Sequence, residues 1–519
     1  MERRCIDPHR RNRSVLSSPK RPLLLPVSAL AFLAIVSRHS SAADQPQWGE
    51  HYSRNMVSTE IGLPDSCDPG TGANVKWTVP LGAQTYSTPI VAGGKVLIGT
   101  NNEPPRDARR KGDRTVLLCL NEADGSSCWQ LVALKRGGDP YLDWPNVGIC
   151  SPPTVDGDRV YVVSTRGEVL CLDLNGQANG NQGFQDERHF LVPPDSEPLD
   201  VSATDADVLW VFDMVKEVGV YTHDSAHTSI LIDGQCLYAN TGNGVDNTHR
   251  AIRAPEAPSL IVLDKGTGRL VARDGEGIGP RTFHCTWSSP ALAEVAGHRA
   301  VFYGGADGVC YAFDAWQSAA TDTVGKLTRL WRFDCDPTAP KEHIHQYVGN
   351  RREGPSTINS MPVYHDGRLY VAAGGDVWWG KTHATLKCLD VASAVGDAGP
   401  KELWSYALDE RTCSTPAVYN GLVFLADCGG RVHCLDADTG QPCWVHEAGA
   451  EIWGSTLVAD GKVYVGTHGG ELCTLAASKE KKVLATVKLD STIHGTPTAA
   501  NGVLYVATMK QLYALAVTR

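Results

Sequence analysis

Residues Ser414–Trp444, STPAVYNGLVFLADCGGRVHCLDADTGQPCW, hold short apolar runs separated by turn residues. "TPAV" reads as a first strand, "LVFLA" as a second, "RVHCL" as a third and "CWVHE" as a fourth. Asn420-Gly421 suits the first hairpin, because a two-residue turn of this kind needs positive φ at both positions. At the third-to-fourth turn, Asp436 accepts turn amide hydrogens and Gly440 supplies the unusual backbone angle.

The same grammar recurs from starts near Ser87, Ser151, Ser229, Ser289, Ser360, Ser414, Ser455 and Thr496. Eight repeats of about this length signal a propeller or solenoid rather than unrelated domains. The last unit, "TPTAANGVLYVATMKQLYALAVTR", stops after three strands, and the missing Trp strand appears as "VKWTVPLG", Val75–Gly82. A ring closed by pairing its two chain ends has no free sheet edge. The expected fold is therefore all-β: an eight-bladed β-propeller of four-stranded antiparallel blades spanning 75–519, with 44–74 as a lead-in segment.

Residues 1–43 differ from the rest. A basic stretch precedes the apolar run Leu23–Val36 and the small residues Ser40, Ala42 and Ala43, the order of a cleaved secretory signal. The run is too short and Pro-interrupted to favour a spanning helix. An exported chain, periplasmic or extracellular, is expected. The whole chain carries a formal net charge of −10, and losing the basic leader makes the body more acidic still. Nucleic acid, which is bound by neutralising phosphates, is a poor partner for it. A soluble monomer meeting an envelope protein or a small molecule is the expectation.

The pattern A/C-x-D-x-x-T-G-x-x-x-W stands in "CLDADTGQPCW", more weakly in "CLNEADGSSCW", and without its Trp in "VLDKGTGRLVA". These repeats resemble those of the pyrroloquinoline quinone (PQQ) repeat propellers, over nearly the whole chain from Trp77 onward. The resemblance implies blade-to-blade docking by the terminal Trp, which passes to Trp77, Trp129, Trp331, Trp404 and Trp444. Propellers of this kind include quinoprotein alcohol and sugar dehydrogenases and the assembly factor BamB. A PQQ-dependent dehydrogenase holding quinone and calcium is thus one alternative and a BamB-like scaffold another. The adjacent cysteine pair of the dehydrogenases is missing here, and no Cys follows the apolar leader run for a lipid anchor. The leading expectation is a non-catalytic binding protein.

Four insertions, 101–114, 242–258, 334–357 and 374–384, fall on the rim shared by the second-to-third strand loops and the blade connections; 175–205 falls on the opposite side. Loops carried by a rigid scaffold commonly hold function. The position three before the repeat's Pro gives a ring of Tyr86, Ile149, Ala226, Trp287, Asn359, Cys413, Trp453 and His494. Tyr86, Trp287, Asn359, Trp453 and His494 would make an apolar-walled mouth with polar handles. Rim histidines include His249, His284, His343, His345, His383 and His468, but no ligand set is recognisable, so no metal is expected. Hairpin counting sets Cys119 opposite Cys128, Cys434 opposite Cys443 and Cys413 opposite Cys428, three candidate disulfides within reach of directly paired strand positions.

Overall fold

A computed structural model describes residues 43–137, 143–193, 195–224, 228–317, 323–394 and 398–518. The leader and the ring position Ala226 lie outside the described residues. Eight antiparallel blades follow one another around an axis. The sixth consists of Ala417–Tyr419, Leu422–Ala426, Arg431–Asp436 and Pro442–Glu447. Its first hairpin turns at Asn420 and Gly421, with φ of 49° and 73°, as the Asn-Gly pair requires. Val75–Pro80 pairs antiparallel with Gln511–Leu515, so the two ends of the propeller domain share the eighth blade and the ring closes. Blade three gains a short fifth strand, Gly325–Lys326, parallel to Leu270–Arg273.

The docking Trp works through a polar contact as well as by burial. In five blades the indole N–H donates to a carbonyl just past the third strand of the next, four of them being Trp77 to Glu122 O (3.1 Å), Trp129 to Leu174 O (2.9 Å), Trp404 to Ala437 O (3.0 Å) and Trp444 to Ser478 O (2.9 Å). Trp210 does the same to Lys265 O at 3.1 Å, and Trp331 is buried between blades four and five. The turn glycine of the repeat is the other half of this joint. A Cβ on Gly440 would lie 2.5 Å from Trp404 Cε3.

Two hairpin registers depart from the sequence count. Leu435 does face Pro442, but Cys434 faces Trp444, because Cys443 is the extra residue of a bulge; Cys119 likewise faces Trp129. Cys434 still contacts Cys443, Cys119 contacts Cys128 and Cys413 contacts Cys428, all as free thiols.

The lead-in segment is built into the fold. It crosses the end of the ring that carries the first-to-second strand turns, pairing by backbone with the innermost strands: Gln45 with Val91, Pro46 O with Val155 N, Tyr52 O with Leu292 N, Ser53 O with Tyr364 N and Val57 with Val458. Arg54, fully buried, sends its five N–H groups to Pro290 O, Trp48 O, Ser229 Oγ, Ser229 O and Ile230 O. One end of the channel is thereby sealed. Among the described residues no helix is long and apolar enough to cross a membrane.

Candidate functional site

The other end opens into a cavity of about 520 Å³. Five indoles among the described residues line it: Trp144 and Trp287 from blade connections, Trp378 and Trp379 from the insertion 374–384, and Trp453 from the connection into blade seven. A narrower space of about 90 Å³ continues down the axis past Tyr86, Trp287, Asn359, Trp453 and His494 to Trp48, whose Nε1 donates to Thr496 Oγ1 at 3.2 Å. All five expected mouth residues therefore meet around one axis, Tyr86, Trp287 and Trp453 in the open cavity and Asn359 and His494 just beneath.

The insertions reach the cavity because polar anchors hold them. Asp376 is the chief one. Its Oδ1 accepts the backbone N–H groups of Trp378 and Trp379 at 2.9 and 3.1 Å, while Oδ2 accepts from His284 Nδ1 at 3.2 Å. Arg351, from 334–357, donates to Trp378 O at 2.9 Å. Lys381 joins the same two insertions through Asp336 at 2.5 Å, a pairing that holds the Asp336 carboxyl well below its usual range despite burial. The insertions 242–258, 334–357 and 374–384 supply cavity residues; 101–114 does not.

Two histidine groups flank the cavity. On the side of blades seven and eight, the His468 and His494 rings are 4.1 Å apart and Trp453 leans on both. Glu451 accepts from Trp453 Nε1 at 2.8 Å and lies 3.4 Å from His468 Nδ1. Burial, then the His468 charge, pulls His494 down to about 3, so it is neutral near pH 7.

On the side of blades two to five, His223, His249 and His284 bring one ring nitrogen each to within 4.8 Å of one another. His223 Nδ1 donates to Val245 O at 2.8 Å. Burial first, and the neighbouring His284 and His249 charges next, lower His223 to about 3. His284 goes the other way: Asp376 overcomes burial and holds its imidazole charged. Burial raises the Asp224 carboxyl to about 6. The fold thus gathers three imidazoles that the spacing of the sequence does not join into a set. His249 and His284 were visible as rim histidines, but His223 was not, and the three come from separate connections that no local spacing joins.

The family model described as outer membrane protein assembly factor BamB, a PQQ-repeat model, matches residues 112–275, 319–475 and 429–518. Among solved structures, BamB from Moraxella catarrhalis aligns with a TM-score of 0.52 at 14% identity, covering 84% of this chain and 98% of that one. The computationally designed Ika8 protein aligns at 0.50 and 10% identity, covering 85% and 99%. Quinohemoprotein alcohol dehydrogenase from Comamonas testosteroni aligns at 0.47 and 12% identity, covering 92% and 80%. Comparison with curated protein sequences returns no match.

Proposed function

Because the chain belongs to the PQQ-repeat propeller family typified by the BamB model, and its ring is closed at one end and aromatic at the other, we propose that it is an exported binding protein for a neutral, ring-bearing small molecule. The observation that carries this reading is the lining of the 520 Å³ cavity, several indoles and Tyr86 with few polar groups. Indole faces stack on planar or sugar-like rings, and a concave apolar pocket with a few polar handles is the usual form of such a site.

The quinone that names the repeats fits this lining poorly. It is a planar tricarboxylate, whereas the cavity offers the Arg351 guanidinium and a His284 imidazolium already bracketed by Asp224 and Asp376. Calcium prefers a cage of oxygens, and the cluster at this wall is imidazole-rich. The family description favours a second reading, an envelope assembly scaffold, which predicts a co-purifying envelope protein.

Titrating the mature protein with a panel of neutral oligosaccharides and aromatic glycosides, read by intrinsic Trp fluorescence, tests the first reading. Saturable quenching that weakens at least about tenfold in Trp453→Ala is expected, the scale of one lost stacking contact with its buried area. Stoichiometric PQQ binding with calcium and dye reduction on alcohols would replace this reading with the dehydrogenase one.

A further inference from the structure

The cavity wall contributed by blades two to five has the anatomy of a metal centre. His223 and His284 are almost wholly buried, at 0% and 2% exposure, and each has Nδ1 committed to an oxygen acceptor behind it: Val245 O for His223 and Asp376 Oδ2 for His284. A carbonyl only accepts, so Nδ1 of His223 carries the proton and Nε2 keeps a lone pair. Both Nε2 atoms turn toward the same carboxylate, Asp224, whose oxygens lie 3.6 Å from that of His223 and 3.4 Å from that of His284. The third imidazole, His249, arrives from the insertion 242–258 with its ring 5.0 Å from His223 and 5.5 Å from His284. Its backbone sits at φ 56°, an uncommon conformation for a non-glycine residue and one that recurs at functional sites.

From this arrangement the geometry points to a divalent first-row transition ion, with zinc as the reference case, bound by His223, His249 and His284 with Asp224 beside it and one coordination position facing the aromatic cavity. Imidazole ligands suit zinc, copper, iron, cobalt and nickel, and calcium much less. A carboxylate or carbonyl behind each ligating imidazole is the support such ligands need to be held in one tautomer and orientation. The Asp376–His284 pair and the Val245–His223 pair supply that support. Nitrogens around a tetrahedral zinc stand about 3.3 Å apart, from bonds near 2.0 Å. The three ring nitrogens lie within 4.8 Å of one another, so closing on an ion requires movement of up to about 1.5 Å, and half-buried His249 on its insertion is the ligand with room to make it.

The cluster opens into the cavity, since Asp224, His249 and His284 all line it. The fourth position therefore meets water or a donor atom of whatever the cavity holds. The metal reading does not depend on the cavity ligand, and its test uses the metal alone.

Untagged, fully reduced mature protein, stripped with EDTA and dialysed, is titrated with Co²⁺ and then with Zn²⁺. The expected result is one equivalent of Co²⁺ giving the d–d absorption of a four- or five-coordinate nitrogen and oxygen site, without thiolate charge-transfer bands, and displaced by one equivalent of Zn²⁺. His284→Ala should weaken binding at least about a hundredfold and His249→Ala at least tenfold, while His468→Ala, in the other histidine group, should leave it unchanged. Asp376 is a positioning residue. Asp376→Asn keeps an oxygen for the Trp378 and Trp379 amides, yet should cost about 10- to 100-fold in affinity and alter the Co²⁺ spectrum. Should His284→Ala fail to fold, His249→Ala decides, because its ring sits on an insertion outside the strands. No stoichiometric uptake by the stripped wild type, uptake undiminished in His249→Ala, or a thiolate-type spectrum would each overturn the site.

Discussion

The two ends of the channel are made of different materials. The closed end is backbone: the lead-in segment runs hydrogen bonds from one blade to the next and plants Arg54 among five neutral oxygens. The open end is side chain: indoles, imidazoles and a few carboxylates projecting from connections that carry little of the ladder. A guanidinium with every N–H satisfied makes a tight seal and leaves nothing to offer a ligand. An aromatic mouth with half-exposed rings is the converse, spending little on stability and much on recognition.

The largest loss of stability falls at the closed end. Arg54→Met strands several buried carbonyls that had charge-assisted partners, a loss on the order of 3–5 kcal/mol. Urea unfolding should show a lower midpoint with little change in ligand or metal binding by the molecules still folded. A loss below about 1 kcal/mol would mean the segment merely lies on the ring. At the open end, Trp453→Ala should cost only about 1 kcal/mol of stability, since Trp453 is half-buried among Trp378, His468 and His494. The same substitution should remove most of the ligand response. An equal stability loss at both ends would remove the distinction.

Acid sets the open end apart as well. His494 is held near 3 in the fold and returns to about 6.5 on unfolding. The unfolded chain thus binds more protons in that window, so stability rises with pH across it and is lost on acidification from about 6.5 toward 3, by at most about 1.4 kcal/mol per pH unit from this ring. His468 and Glu451 face it, with Tyr86 at 4.7 Å. The Glu451 carboxyl, lowered first by its hydrogen bond with His468, loses its own contribution as pH falls through its folded pKa. His494→Gln should flatten the melting temperature difference between pH 7 and pH 5, and an unchanged difference would assign the acid sensitivity elsewhere.

What the amino-acid sequence showed of this molecule follows from what repeats. The blade motif is legible because every unit solves the same problem: Gly440 leaves space for Trp404 of the blade before it, and Trp444 donates to Ser478 of the blade after it. The mouth residues were legible for the same reason, as one position read through eight units. The seal was not. Four of the five acceptors of Arg54 are carbonyls, which leave no side-chain signature, and the residue occurs once. Nor was the histidine cluster, whose members sit on different connections and whose supports, Val245 O and Asp376, are set by loop conformation. The cysteine count slipped by one residue because a bulge adds a residue that alternation cannot reveal.

The smallest effect concerns the thiols. At the open end, contact with Cys428, together with burial, raises Cys413 well above the ordinary thiol range. In blade one the hairpin carrying Cys128 turns at the closed end. There Cys119 and Lys95, whose Nζ lies 3.4 Å from Sγ, draw the half-exposed Cys128 down to about 6 despite its partial burial. Thiolate is the reactive form. In reduced native protein at pH 7, Cys128 should take up iodoacetamide before Cys413 by peptide mapping. Lys95→Met should slow it several-fold while shifting stability by less than about 0.5 kcal/mol, the usual range for a surface substitution. Equal labelling of Cys128 and Cys413 would show that the bulge, by turning Cys443 and Cys128 out of the pleat, does not set these thiols apart from the pair at the mouth.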